Sequence, residues 1–150
     1  DRLVNLKKDI FMINNNFDIK IISKSKVYET SPMEVINQDF FLNQVIEINT
    51  TIVPLELLRV IKEIEISMGR LKVNQKYGPR LIDIDILSYS NIKMNKKRLT
   101  IPHSKIKLRK FVLKPWTDIA SDYILPNSNN TIKELLNKIS HFDDEIREYS

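Results

Sequence analysis

The order of elements read along this 150-residue chain predicts an α+β sandwich, with helices packed on one face of a mainly antiparallel sheet. Three observations carry the prediction. Apolar residues recur at spacings of three and four in residues 2–14 and again from Pro54 to Gly69, the period of an amphipathic helix. Residues 18–29 instead alternate and are rich in β-branched side chains, the period of a strand. No internal repeat, low-complexity tract or linker interrupts them, so residues 1–150 read as one domain.

Each element has its own local reason. Leu3, Leu6, Ile10 and Ile13 line one face of the first helix, Asp1 is placed to cap it, and Asn14-Asn15-Asn16 breaks it. The strand at 18–29 follows, then a loop from Thr30 to Asp39 around Pro32, then a second strand from Phe41 to Thr50, antiparallel to the first. Pro54 opens the next helix through Leu57, Leu58, Ile61 and Ile64, and Gly69 closes it. Residues 70–80 form a basic loop, Leu81 to about Ser88 a strand, and 104–113 contain a short helix. Thr131 and Glu134 form a capping box that opens a last helix through Leu135, Leu136 and Ile139. His141 and the acidic stretch Asp143-Asp144-Glu145 read as solvated surface.

Composition narrows the chemistry. With 42% apolar and 29% charged residues the chain is an ordinary globular sequence, and no apolar run reaches the roughly 18–20 residues of a membrane span. No secretory signal is present, and a chain that starts at Asp1 reads as a fragment, a processed form or a domain of something longer. Cysteine is absent, which excludes disulfides, thiolate metal sites and cysteine nucleophiles. Two histidines, His103 and His141, are too few for a multi-histidine cage. Gly69 and Gly78 are the only glycines, too few for a Walker loop or a G-x-G-x-x-G turn. Side chains must therefore do any phosphate binding. The net charge of +5 favours an anionic partner, a nucleic acid or a phosphorylated small molecule, though a lysine-rich surface accounts for it equally well.

The most informative run is Ile82-Asp83-Ile84-Asp85-Ile86. Alternation along an extended chain puts the isoleucines on one side and both aspartates on the other, roughly 6–7 Å apart. Two like charges there repel, and a divalent cation such as Mg²⁺ relieves the repulsion. The competing reading is a solvated acidic face. Upstream, Arg70, Lys72, Lys76 and Arg80 come with no acid among them, so cations and metal-bound carboxylates would meet a polyphosphate together. Downstream, His103 lies among Arg98, Lys105, Lys107 and Arg109, which suits a hydrogen-bond donor to phosphate or ribose. Phe41 and Asn43 share a strand face, where a ring can stack on a flat heterocycle and an amide can read its edge.

These residues together resemble the 6-hydroxymethyl-7,8-dihydropterin pyrophosphokinase family of folate synthesis. The run Tyr77-Gly78-Pro79-Arg80-Leu81-Ile82-Asp83-Ile84-Asp85-Ile86 is similar to the family signature. Leu99-Thr100-Ile101-Pro102-His103, followed by Arg109 to Pro115, resembles its second block, and Phe41-Leu42-Asn43 its pterin-side strand. The resemblance implies a ferredoxin-like two-layer fold and transfer of pyrophosphate from ATP to the pterin hydroxymethyl group, releasing AMP. Asp83 and Asp85 would hold two Mg²⁺ ions. Arg70 and Arg80 would act from a mobile lid, with Lys72 assisting. Glu65, Tyr77, Ile86, Arg98, Thr100, His103 and Arg109 would contact ATP. Phe41 and Phe111 would sandwich the pterin while Asn43 and the Thr30, Ser31, Pro32, Met33 segment read its edge.

The resemblance further implies a cytoplasmic monomer, fused to or working beside other folate enzymes, with no nucleic-acid or membrane partner. Some positions depart from the pattern. The family opens with a core strand ahead of Asp1, Lys72 stands where arginine is common, Tyr77 where tryptophan is, and Lys62 where a glutamine would meet ATP. Two alternatives stay open from the residues: a basic ferredoxin-like nucleic-acid-binding module, and an inactive family member with a structural role.

Overall fold

The structure is a computed structural model that describes residues 2–30, 41–69, 83–139 and 146–149. The cap expected from Asp1, the loop after Thr30, the basic loop at 70–80 and the His141 to Glu145 stretch lie outside these residues. The chain divides into two compact units, residues 1–21 with 48–86, and residues 22–47 with 87–150.

In the first unit the two long helices form where the apolar period places them. Helix α1 spans Arg2–Asn14 and helix α2 spans Pro54–Ser67, and the two are packed together. Ile13, Ile19, Leu57, Ile61 and Ile64 are its buried apolar residues. Pro54 sits in the first turn of α2, where its missing N–H costs nothing. At the other end the Met68 amide donates to the Ile64 carbonyl and the Gly69 amide to that of Ile66, and Gly69 has φ of 95°, a conformation a Cβ would disfavour. The run after residue 82 differs from expectation. Residues 83–89 are not a strand, because none of the described residues forms a ladder with them. The alternation survives without the ladder: Asp83 and Asp85 are exposed while Ile84 and Ile86 are half-buried.

Both expected long strands are broken, and the breaks face each other. The first becomes β1 (Ile19–Lys24) and β2 (Tyr28–Thr30), and the second becomes β3 (Phe41–Asn43) and β4 (Ile46–Thr50). At the break the Ser25 amide donates to the Val45 carbonyl at 2.8 Å, but the Val45 amide returns its bond to the Ser25 hydroxyl at 2.9 Å rather than to a carbonyl. The Gln44 side chain takes the freed Ser25 carbonyl at 2.7 Å. A side chain has replaced a rung of the ladder, so the strands restart on either side. Strand β1 pairs with β4, and β2 pairs antiparallel with β3 in the register Tyr28 to Asn43 and Thr30 to Phe41.

The second unit also holds elements that the sequence reading did not contain. Strand β5 (Met94–Asn95) and strand β6 (Thr100–Ile101) form a hairpin, closed by reciprocal backbone bonds between Lys96 and Leu99. Strand β7 (Ile146–Glu148) covers the free edge of β2, giving the order β3, β2, β7. The short helix expected at 104–113 is instead a 3₁₀ turn over Ile106–Leu108 followed by α3 (Lys110–Ala120), which continues through Pro115. Pro115 removes one helical bond, but it and Leu113 and Trp116 are buried, and the packing outweighs that loss. Helix α4 (Ile132–Ile139) carries the predicted capping box: Thr131 donates its amide to Glu134 Oε1 and accepts the Glu134 amide on Oγ1. Leu113, Trp116, Leu125, Ile132, Leu135 and Ile139 form the core of the unit with Val45 and Ile106. Helix α3 lies on β2 and β3, which gives the α+β arrangement of helix against antiparallel strands.

Candidate active site

In the first unit the described site residues are acidic or apolar. Asp83 and Asp85 lie two residues apart and are exposed, and Ile84 and Ile86 alternate with them half-buried. Two oxygen donors presented to solvent fit a hard divalent cation, with further ligands coming from water and phosphate. Among the described residues no group of three or more metal-binding side chains gathers. Glu65 is different. It is fully buried on α2, with its Oε1 3.2 Å from Lys62 Nζ. Asp9 on α1 is also buried, and its Oδ1 finds no hydrogen-bond partner among the described residues. Burial, with the Glu65 charge second, pushes the Asp9 carboxyl up to about 7.

In the second unit two pairs of expected residues meet. Thr30 is buried at the end of β2, and its hydroxyl accepts the Asn43 Nδ2 hydrogen at 2.9 Å, diagonally across the β2–β3 ladder. Phe41, on the same side of β3 as Asn43, leaves half its surface in solvent. An amide tied on one side beside a half-open ring is suited to a flat heterocycle with donors and acceptors along one edge. At the start of α3 the Arg109 guanidinium lies over the Phe111 ring, 5.5 Å from its centroid. That contact holds a cation beside an aromatic surface and is worth about 0.5–1 kcal/mol where exposed.

The Thr100 hydroxyl on β6 donates to Asn95 Oδ1 at 3.3 Å, and Arg98 is exposed in the hairpin turn. The His103 amide donates to the Leu87 carbonyl at 2.8 Å, two residues after Asp85. His103 Nδ1 accepts the Lys105 amide at 3.2 Å, so the neutral ring carries its proton on Nε2 and is a donor there. Arg70, Lys72, Tyr77, Arg80, Ser31, Pro32 and Met33 lie outside the described residues. Two side chains next to the site had no place in the sequence reading. The Tyr28 hydroxyl donates to Asp118 of α3, at 2.9 and 3.1 Å from its two carboxylate oxygens. A tyrosine and an aspartate ninety positions apart give no local signal, so only the fold could pair them.

Comparison with known proteins agrees with this picture. The model of the family described as 7,8-dihydro-6-hydroxymethylpterin-pyrophosphokinase (HPPK) matches residues 1–121. The folic acid synthesis protein fol1 of Schizosaccharomyces pombe is 36% identical over 150 residues, 100% of this chain and 20% of that protein. The 2-amino-4-hydroxy-6-hydroxymethyldihydropteridine pyrophosphokinase of Methylorubrum extorquens is 37% identical over 121 residues, 81% of this chain and 75% of that protein. The bifunctional protein FolKE of Lactococcus lactis subsp. cremoris is 36% identical over 149 residues, 97% of this chain and 41% of its own length. The chain thus spans a minor part of the fusion-sized relatives and most of the single-enzyme one. A family-model match over residues 1–121, with a relative 37% identical over 121 residues, assigns the chain to the 7,8-dihydro-6-hydroxymethylpterin-pyrophosphokinase family.

Proposed function

We propose that this chain itself transfers pyrophosphate from ATP to the hydroxymethyl group of 6-hydroxymethyl-7,8-dihydropterin, releasing AMP. The observation that carries the proposal is the family match over residues 1–121, because every candidate site residue, from Thr30 to Phe111, falls inside it. The reading also takes residues 1–150 as a single domain of cytoplasmic, monomeric character; subcellular fractionation and sedimentation test the last two.

The chemistry follows from the groups. The hydroxymethyl oxygen bonds to the β-phosphorus, the bond from that phosphorus to the α–β bridging oxygen breaks, and the hydroxyl proton is released. Charge builds on the phosphate oxygens, so the protein's task is electrostatic and positional rather than covalent. Asp83 and Asp85 would hold two Mg²⁺ ions, which supply neutralisation of the triphosphate and of the attacking oxygen. Arg109, and His103 through Nε2–H, are suited to the phosphate oxygens, with Arg98, Thr100, Glu65, Tyr77 and Ile86 on the nucleotide side. Phe41 and Phe111 would offer ring faces to the pterin while Asn43, steadied by Thr30, and Ser31, Pro32 and Met33 read its edge. Arg70, Lys72 and Arg80 would close over the triphosphate and exclude water.

The test supplies ATP, Mg²⁺ and the pterin to the chain and resolves AMP from ADP. AMP formed only with pterin present is the expected result; its absence under all conditions contradicts the proposal in favour of an inactive family member. The proposal assigns the net charge of +5 to a triphosphate rather than to nucleic acid. Filter retention of RNA that falls steeply with salt, alongside no turnover, would reverse that assignment.

A further inference from the structure

The second unit contains a partly buried contact that the reaction chemistry does not use, between a buried tyrosine and an exposed aspartate. Tyr28 on β2 is 5% exposed, and its hydroxyl donates to both carboxylate oxygens of Asp118. The Lys26 amide donates to Asp118 Oδ2 as well, at 3.2 Å. One carboxylate therefore ties α3 to β2 through the Tyr28 side chain and to the segment just before β2 through a backbone group. The neighbours of these two residues give the contact its meaning. Tyr28 is paired in register with Asn43, and Asn43 bonds Thr30 two residues further along β2. Asp118 follows Phe111 by seven residues, close to two helical turns, so the two share a face of α3 about 10 Å apart. Helix α3 rests on both β2 and β3.

We propose that Asp118 is the positioning residue of the pterin pocket: it fixes α3, and with it the Phe111 ring, against the strands that carry Thr30, Phe41 and Asn43. The proposal rests on the reading that those four residues hold the pterin. A slip of α3 by even 1 Å would change the gap a flat ring must fill, while groups that contact only the nucleotide would keep their places. Burial first, and the bond to Asp118 second, push the Tyr28 hydroxyl up to about 12, so it remains a donor throughout the physiological range.

The test measures equilibrium binding of the pterin, and separately of a non-hydrolysable ATP analogue with Mg²⁺, to the full chain. Pterin binding is read from its fluorescence with the analogue and Mg²⁺ at saturation. Asp118→Ala and Tyr28→Phe are expected to weaken pterin binding about tenfold, the loss of roughly one hydrogen bond to a charged group. Both should leave analogue binding within about twofold. Asp118→Asn, whose amide oxygen still accepts from Tyr28, should recover most of the loss. Tyr28→Phe removes one oxygen only and keeps the test decisive if Asp118→Ala does not fold. Equal weakening of both ligands, or a lower melting temperature with pterin binding intact, would reduce Asp118 to a structural role and overturn the proposal. If the unmodified chain binds no pterin, the underlying reading of the pocket fails and this inference falls with it.

Discussion

Asp83 and Asp85 are exposed, with Ile84 between them half-buried. Two aspartates alternating with isoleucines are an arrangement that stability alone does not favour. Asp85→Ala should therefore abolish pterin-dependent AMP formation while changing stability by no more than about 0.5 kcal/mol, checked by coupled assay and thermal melting. Wild-type turnover in that variant would remove the metal role from this pair. Asp9 is the opposite case, a carboxyl inside the first unit whose burial and Glu65 neighbour raise it from 3.8 to about 7. Its folded form prefers the proton more than its unfolded form does. That contribution to stability is complete below about pH 4 and is lost as pH rises through 7. Urea midpoints of the chain should fall between pH 5 and pH 8, and Asp9→Asn should flatten that fall. A slope unchanged in the variant would place the titrating group elsewhere.

At the scale of elements, stability rests on a few polar contacts at element ends and breaks. The capping box of α4 satisfies two amides reciprocally, and Thr131→Ala should cost about 1 kcal/mol by denaturant unfolding. Ser25 does more, because its hydroxyl accepts the buried Val45 amide and donates to the Lys26 carbonyl. Ser25→Ala should cost about 1–3 kcal/mol, with protection of the Val45 amide from hydrogen exchange lost first. The same contacts explain which elements could be read in advance. Both long helices and the capping box follow from spacing within a few residues, so α1, α2 and the start of α4 were legible. The breaks at Ser25 and Val45 depend on a bond between residues twenty apart, which no local pattern displays. Likewise, continuation of α3 through Pro115 reflects burial of Leu113 and Trp116 against other segments. Strand β7 is visible only once β2 offers it an edge.

For the molecule as a whole, the α+β class was legible in the order of helices and strands, and the candidate site residues rest on the proposed function. Carboxylate spacing, a cation-rich run and an aromatic beside an amide are chemical requirements that survive in one dimension, and they pointed to Asp83, Asp85, Phe41 and Asn43. Their supporting partners, Thr30 beneath Asn43 and Asp118 beneath Tyr28, are tertiary facts. The family match over residues 1–121 spans the carboxylate pair and the Phe41–Asn43 strand alike. In the proposed reaction an intact pyrophosphoryl group moves. ATP labelled at the β-phosphorus, supplied with Mg²⁺ and the pterin, tests it most directly. The predicted result is label in the pterin product and unlabelled AMP. Label retained in ADP, with a single phosphate on the pterin, would contradict it.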